Sequence, residues 1–269
     1  MRKTGIVAIG AAALVCLGST AFAANIGPDA FGYVADDAAQ PFNFQDISGT
    51  GTGLGLADDG SSSVGIGFTF DFYGTSYTNV FVNANGSLTF TGGSSDFTNE
   101  DLTGPLSTDL PTIAVFWDDL NPEDPDSDDV YVETVGTAGS RRLIVQWNAL
   151  DVFDDTDDTT TFQVILFEGT NDILFQYLDV TIGTGTESEG QPEDHSDGGA
   201  ATIGIRDAGG HLTSRFLQWG FDTPGSVSAG DAILFSTSLV VTPEPGSIAL
   251  MSLGLLGLGG LIRRRRRRR

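Results

Sequence analysis

An alternation of two residue classes runs without interruption from Val64 to Phe72. Every second position holds a large apolar side chain: Val64, Ile66, Phe68, Phe70 and Phe72. The positions between them hold glycine, threonine and aspartate. Because successive side chains of a β-strand point to opposite faces, this pattern predicts a strand with one face in a core and the other in solvent.

The dipeptide Asn85-Gly86 separates two apolar-rich runs, residues 78–84 and 87–91. Asn-Gly favours a type I′ turn because both central residues of that turn adopt positive φ. The sequence therefore predicts a β-hairpin with a two-residue turn, which would place Phe81 opposite Phe90.

Seven further short runs have the composition of strands, with loops rich in Gly, Asp, Ser and Thr between them. They are residues 113–117, 130–135, 142–148, 161–167, 173–177, 201–205 and 232–236. No window of the body shows the 3.6-residue period of a helix. The pattern predicts an all-β fold, a sandwich-like antiparallel domain over residues 24–239. The polar, glycine-rich segment 181–199 is expected to be a mobile loop.

The first 23 residues have the three parts of a secretory signal peptide. Arg2 and Lys3 supply the positive start, residues 6–17 are apolar, and Ala21-Phe22-Ala23 is a small-x-small cleavage site. We expect cleavage after Ala23. The only cysteine, Cys16, lies in the part removed, so the exported body would have no disulfide and no thiol chemistry.

The other end of the chain combines three features in a fixed order. A linker, residues 240–246, contains Pro243-Glu244-Pro245, which cannot join a helix or a sheet ladder. Residues 247–262 are uncharged and predict a transmembrane helix of about 24 Å. Seven arginines, Arg263 to Arg269, follow and predict a cytoplasmic end by the positive-inside rule.

This order of parts resembles the PEP-CTERM sorting signal of Gram-negative bacteria, with Thr242 where the family usually has valine. The resemblance implies a partner, the membrane protease-transpeptidase exosortase, which would cut near Pro243, Glu244 and Pro245. It also implies export, transient insertion in the inner membrane through the helix and the cluster beginning at Arg263, and delivery to the cell surface or extracellular matrix. A plain C-terminal tail anchor is the alternative.

The body is similar in several ordered blocks to the extracellular nidogen-like domain. The blocks include Phe70-Asp-Phe-Tyr-Gly74, Val82-Asn-Ala-Asn-Gly-Ser-Leu-Thr-Phe90, Ile113-Ala-Val-Phe-Trp-Asp-Asp-Leu120, Val145-Gln-Trp-Asn148 and Ile173-Leu-Phe-Gln-Tyr177, after a lead-in Asp29-Ala-Phe-Gly-Tyr33. The resemblance covers most of residues 29–236 and implies an extracellular β-rich adhesion or matrix module. It supplies no catalytic or cofactor-binding residues.

Charge restricts the partners of the body. Between Ala24 and Thr242 the chain carries 35 acidic residues against four arginines and no lysine, a net formal charge of −31. Repulsion excludes nucleic acids and anionic membrane surfaces as partners. Divalent cations would relieve the self-repulsion of such a body, and adaptation to a salty habitat is the other explanation of its composition.

Two acidic segments are candidate calcium sites. Asp124, Asp126 and Asp128 alternate as in oxygen-ligand calcium loops, although Asp129 and Val135 depart from the EF-hand pattern. The second segment connects two predicted strands and would share ions with the first if both lie at one end of the sandwich: Asp151, Asp154, Asp155, Asp157 and Asp158. The alternative is that both segments are solvated loops.

Signals for catalysis are poor. His195 and His211 have no partner at metal-ligand or triad spacing, and we expect both to be solvated loop residues. Trp117 and Trp147 lie inside apolar runs and are expected in the core. Trp219 is the better candidate for a surface aromatic, although the core is the favoured position for it too.

The sequence therefore predicts a non-enzymatic surface or matrix protein with a structural or adhesive β module. Its predicted partners are exopolysaccharide or other surface glycans, with calcium as the bridge between the glycans and the acidic loops. A calcium-dependent, carbohydrate-binding lectin is the alternative. A polysaccharide hydrolase is a third reading, although a dense field of carboxylates identifies no particular catalytic pair.

Overall fold

The computed structural model describes residues 24–153, 158–182 and 194–237. Fifteen strands, one 3₁₀ turn (Ser196–Gly198) and one short helix make up the fold. They are β1 (Asn25–Ile26), β2 (Val34–Asp36), β3 (Thr52–Gly53), β4 (Ser61–Phe72), β5 (Thr75–Asn83), β6 (Ser87–Thr89), β7 (Thr112–Trp117), β8 (Leu120–Asn121), β9 (Asp129–Val135), β10 (Arg142–Val152), β11 (Thr159–Phe167), β12 (Ile173–Asp179), β13 (Thr202–Arg206), α1 (Gly210–Thr213), β14 (Phe216–Phe221) and β15 (Ala232–Ser236).

The strands form two antiparallel sheets. The larger has nine strands in the order β1-β2-β15-β12-β11-β10-β9-β3, with β8 also paired to β10. The smaller has six strands in the order β14-β13-β7-β6-β5-β4. The all-β prediction is confirmed, and the helical content of the described ranges is limited to α1 and the 3₁₀ turn.

Both sheets contribute to one apolar core. In β4 the predicted alternation is confirmed. The apolar side chains are buried and the residues between them are exposed, the buried ones being Ile66, Phe68, Phe70 and Phe72. Phe116 on β7 meets Phe162 on β11 with ring centroids 5.4 Å apart, so the two sheets pack face to face. Each such buried side chain contributes roughly 1.5–3 kcal/mol to the free energy of unfolding.

Two buried hydrogen bonds join the sheets across this core. The indole Nε1 of Trp147 donates to the Asn83 carbonyl oxygen at 3.0 Å. The Tyr177 hydroxyl donates to the Val115 carbonyl oxygen at 2.8 Å. Aromatic side chains with a polar end bury their rings favourably only when that end is paired, and both pairs fix how one sheet sits on the other.

The hairpin predicted at Asn85-Gly86 is present, but its turn is longer than predicted. Strands β5 and β6 pair Phe81 with Thr89, so the predicted pairing of Phe81 with Phe90 is wrong. Only Gly86 of the dipeptide has a positive φ, +72°. Three-residue hairpin loops that end in a left-handed glycine are the next common type after two-residue turns.

Gly86 also makes a close backbone contact. Its carbonyl oxygen accepts hydrogen bonds from the N–H groups of Val115 and Phe116, each at 3.1 Å. A Cβ atom on Gly86 would lie 1.8 Å from the Phe116 carbonyl oxygen. Glycine is therefore required at this position for two reasons, the positive φ and the lack of room for a Cβ atom.

The outer face of the nine-stranded sheet is covered by the extended segment between β2 and β3. Phe42 and Ile47 of this segment pack on apolar side chains of the face: Ile144, Ile165, Leu174, Ala232 and Leu234. The backbone N–H groups of Asn43 and Ile47 donate to the side-chain oxygens of Gln176 and Gln146, at 2.6 and 2.8 Å. Side-chain amides thus replace a neighbouring strand as the partners of this segment.

The long connection between β6 and β7 covers the outer face of β7 and β13 in the six-stranded sheet. Leu102 and Leu106 pack on Trp117 there. Arg206, which is fully buried, donates to the Leu102 carbonyl oxygen at 3.3 Å and pairs with the Asp109 carboxylate at 2.9 Å. Because a buried guanidinium needs such partners, Arg206 holds this connection against the sheet.

Strand β15 lies inside the larger sheet, between β2 and β12. Phe235 pairs with Ala35 on one side and with Ile173 on the other. All five residues of β15 are buried. The chain leaves this strand at Ser236 towards the sorting segment that the sequence predicts.

Five strands escaped prediction: β1, β2, β3, β8 and β14. The first four have two or three residues, too few to show an alternation. The signal residues Ala21 and Ala23, the segment 247–262 and the sorting residues (Pro243, Glu244, Pro245 and Arg263) lie outside the described residues. Within the described ranges, no helix has the length and apolar character needed to cross a membrane. The predicted domain boundaries stay predictions.

We predict that Gly86→Ala destabilises the domain by roughly 3–5 kcal/mol, because a left-handed φ disfavours alanine and the added methyl overlaps a backbone oxygen. Gly55→Ala is the matched control, since Gly55 also has a left-handed φ (+55°) but nothing within 4 Å of an added Cβ. The control should lose only about 1–2 kcal/mol. Urea unfolding measures both values, and equal losses would contradict the proposed backbone contact.

Candidate functional site

Three turns meet at one end of the sandwich: residues 57–60, 84–86 and 118–120. The side chain of Asn85 joins them. Its Nδ2 donates to Asp59 Oδ1 at 2.9 Å, and its Oδ1 accepts from the N–H of Leu120 at 2.9 Å. Asn85 is buried, so its amide is oriented by these partners and fixes the spacing of the turns.

This arrangement brings three carboxylates together. Asp58, Asp59 and Asp119 each offer an oxygen, and these oxygens lie within 4.8 Å of one another. Asp119 is only 5% exposed, and its backbone is fixed because the Phe153 N–H donates to its carbonyl oxygen at 2.8 Å. We refer to Asp58, Asp59 and Asp119 as the acidic cluster.

The electrostatics of the acidic cluster favour a positive ligand. Burial raises the pKa of the Asp58 carboxyl above its ordinary value, with further contributions from the charges of Asp59 and Glu123. One oxygen of Asp58, Oδ1, is buried without a hydrogen-bond partner among the described residues. Because the pKa is raised in the folded state, proton binding at low pH stabilises the fold, and ionisation at neutral pH is opposed. A bound cation would relieve that opposition.

The chemistry of the donors suits a hard divalent cation. All three side chains of the acidic cluster provide carboxylate oxygens, which calcium prefers, and the neighbouring Glu123 could add another. The described residues place no sulfur or imidazole ligand in this group. The residues present therefore fit calcium better than zinc.

A buried contact between a histidine and an aspartate lies next to the acidic cluster. His195 Nδ1 is 2.8 Å from Asp118 Oδ2, and the two side chains are 2% and 0% exposed. The prediction that His195 is a solvated loop residue is wrong. The sequence separates the two residues by 77 positions, so only the fold reveals that Asp118, at the end of β7, is the partner.

Two of the three carboxylates predicted as calcium ligands, those of Asp124 and Asp128, accept hydrogen bonds from protein groups. Asp124 Oδ1 accepts from the N–H of Asp126 at 2.8 Å. The two oxygens of Asp128 accept from the Tyr131 hydroxyl at 3.0 Å and the Asn148 amide at 2.7 Å. The one carboxylate group with metal-binding geometry in the described ranges is the acidic cluster, and it includes none of the three.

The second acidic segment is described only in part. Asp151 is buried on β10 and Asp158 is exposed, whereas Asp154, Asp155 and Asp157 lie outside the described residues. The proposal that the two segments share ions stays a prediction.

The remaining candidates have structural partners. His211 Nδ1 lies 2.9 Å from Arg206 Nη2. Trp117 and Trp147 are buried, as predicted. Trp219 is partly buried against the core, and its indole N–H donates to the Ser226 carbonyl oxygen at 2.9 Å. These contacts give the side chains a role in packing.

Sequence reasoning missed Asp58 and Asp59. The available signal was the turn Ala57-Asp-Asp-Gly60 directly before the clearest strand, in which the Gly60 N–H donates to the Ala57 carbonyl oxygen at 2.9 Å. Asp119 lies in the acidic run of residues 118–129 that also contains Asp124, but its position two residues after β7 distinguishes it only in the fold.

Comparison with known proteins gives two family matches. Residues 241–268 match the PEP-CTERM protein-sorting motif, which marks an exported protein processed by exosortase. Residues 32–234 match the model described as NIDO related. Neither match is to a catalytic family.

Two curated relatives are similar to part of the chain. Alpha-tectorin of Mus musculus is 32% identical over 181 residues, and that of Homo sapiens is 31% identical over 181 residues. Each alignment covers 58% of this chain and 8% of the relative, so the chain spans a small part of their length. No solved structure matches the chain significantly. The family model covers most of the sandwich, and the chain therefore belongs to the NIDO-related family.

Proposed function

We propose that this exported protein is a structural or adhesive component of the cell surface or extracellular matrix, and that calcium links its β-sandwich to surface glycans. The observation that carries the proposal is the convergence of Asp58, Asp59 and Asp119 at one end of a rigid sandwich. The sorting motif and the extracellular character of nidogen-like domains support the location.

Calcium would act on the sandwich at the acidic cluster. The body carries a net charge of −31, so each bound divalent cation lowers self-repulsion as well as joining three turns. Oxygens of Asp58, Asp59 and Asp119 leave coordination positions for water or for hydroxyl groups of a glycan, since calcium takes six to eight ligands. Calcium binding at Asp124, Asp126 and Asp128 stays a separate prediction.

A calcium-dependent lectin with a defined sugar pocket is the second candidate function. The observation that favours it is a cavity in the β6–β7 connection, lined in part by Asp96 and Glu100. A matrix role requires binding of the whole polymer, whereas a lectin would bind a small glycan saturably. Membership of a non-catalytic family supports binding over hydrolysis.

Replacing Pro243, Glu244 and Pro245 by alanine should leave the uncut chain in the inner-membrane fraction, because exosortase would lose the extended segment that it grips. Fractionation and immunoblotting of the producing cells measure this. Thr242→Val, which introduces the residue usual in the family, is the control and should be processed normally. Equal release of the alanine variant would show that another sequence directs processing.

Calcium at 10 mM should raise the melting temperature of the full chain by roughly 3–6 °C, if its Kd is about 1 mM as in extracellular calcium modules. Sodium chloride at matched ionic strength should give a smaller shift, which separates specific binding from general screening. The calcium effect should vanish below about pH 4, where carboxylates bind protons.

Two isosteric variants distinguish the candidate calcium sites in that measurement. Asp119→Asn should remove most of the calcium-induced shift, whereas Asp126→Asn, at an exposed position of the other segment, should keep it. The opposite result would place calcium at the segment that the sequence predicts. An unchanged midpoint of the unaltered chain at 10 mM calcium would refute calcium binding at both.

The full chain, purified in detergent, should cosediment with exopolysaccharide of the producing organism in calcium and should be released by a chelator. Asp119→Asn should reduce the retained fraction, and Asp126→Asn should not. Absence of retention in both conditions would contradict the adhesive function, and release of soluble sugar from the polymer would identify a hydrolase.

A further inference from the structure

A cavity of about 280 Å³ opens in the connection between β6 and β7. Its lining combines two carboxylates, three hydroxyls and one aromatic ring: Asp96, Glu100, Ser95, Thr98, Ser107 and Phe97. It is formed by residues other than those of the acidic cluster.

Strands of the six-stranded sheet hold the backbone of the segment that lines the cavity. Trp117 on β7 donates its indole N–H to the Asp96 carbonyl oxygen at 2.9 Å. Thr202 on β13 donates its hydroxyl to the Glu100 carbonyl oxygen at 2.9 Å. Asn99, which lies between Asp96 and Glu100 in the sequence, is buried. The strands therefore fix the backbone of Asp96 and Glu100 before any ligand arrives, which reduces the entropy lost on binding.

The two carboxylates share the Ser107 hydroxyl as a donor, and each also accepts from one further group. Asp96 Oδ2 accepts from Ser94 Oγ at 3.0 Å, and the Glu100 oxygens accept from the Ser107 N–H at 3.0 and 2.8 Å. Ser107 Oγ lies 3.0 Å from Asp96 Oδ2 and 3.2 Å from Glu100 Oε2. A serine hydroxyl has one proton and can donate to only one of these oxygens at a time. The cavity lining includes neither arginine nor lysine. The cavity thus holds more acceptors than donors, and a complementary ligand must bring donors of its own.

From this arrangement we infer that the cavity binds one sugar residue that carries no negative charge. Sugar hydroxyls would donate to Asp96 and Glu100, in hydrogen bonds strengthened by the ionised acceptors. The ring of Phe97 offers an apolar surface for the C–H face of the sugar. This inference rests on the proposed glycan-binding function and assigns that function a site.

Size and charge set the ligand class. Pockets for drug-sized ligands have volumes of about 300–1,000 Å³, so this cavity suits a single ring better than an oligosaccharide. A sugar carboxylate would face Asp96 and Glu100 without a compensating cation and would be repelled. A calcium ion needs six to eight oxygens, and the cavity offers two carboxylates that already share a donor.

Saturation-transfer NMR on the full chain tests the inference, because it detects ligands with millimolar affinity. Methyl glucoside and glucosamine are the positive probes, the second because its ammonium group donates to carboxylates. Glucuronate is the matched negative probe. We expect transfer to the first two probes and at least tenfold weaker binding of glucuronate.

Substitutions in the cavity lining test whether the NMR probes bind there. Glu100→Gln and Phe97→Leu should each weaken methyl glucoside binding about tenfold, whereas Asp158→Asn, which removes an equal charge from an exposed position outside the cavity, should not. Melting temperatures of all variants identify any that fail to fold. For such a variant Asp96→Asn serves as the replacement and should weaken binding similarly.

The outcomes separate this inference from the proposed function. Cosedimentation with exopolysaccharide combined with unchanged binding by the cavity variants would overturn the cavity assignment and leave the adhesive function standing. Saturable monosaccharide binding that depends on Glu100, without polymer retention, would support the cavity and contradict the matrix role. Calcium binding that is lost in Glu100→Gln, with no sugar signal, would make the cavity a cation site and overturn the inference.

Discussion

The contact between Gly86 and Phe116 fixes the turns that bring the acidic cluster together at one end of the sandwich. Because the backbone of the β5–β6 turn sits directly on β7, the turn cannot shift along the sheet. The amide of Asn85 is thereby held between the turn before β4 and the backbone that follows β7. The carboxylates of the acidic cluster converge as a result of backbone packing, without any attraction between them.

A strongly acidic chain can form this fold because charge and core are separated. The inward faces of both sheets are apolar. Extended segments with apolar side chains of their own cover the outer face of the larger sheet and, in the smaller sheet, the outer face of β7 and β13. Two of the buried polar side chains have such partners, since Arg206 pairs with Asp109 and His195 contacts Asp118. Many of the remaining carboxylates are exposed or partly exposed, where water and counterions screen their repulsion.

The sequence predicted those parts of the structure that depend on local periodicity. The faces of β4 follow from a period of two, and the composition of the short runs identifies the main strands of both sheets. The register of the β5–β6 hairpin could not be predicted in this way, because Asn85 uses its side chain for distant partners and leaves only Gly86 with a positive φ. The pairing of His195 with Asp118 was likewise inaccessible, since it joins segments that only the fold brings together.

For the candidate sites, too, the sequence predicted local patterns but could not predict which distant residues the fold brings together. The alternation of aspartates drew attention to Asp124, Asp126 and Asp128. The side chains of Asp124 and Asp128 accept hydrogen bonds from the Asp126 N–H and from strand residues. The acidic cluster and the cavity each combine residues from separate turns or from both ends of a long connection.

The position of β15 within the larger sheet has a mechanical consequence. A pull on the C-terminal end of the body would enter the sheet at Ser236, through a strand hydrogen-bonded to β2 and β12 along both edges. A load directed along β15 would strain its hydrogen bonds to both neighbouring strands together, and not one after another.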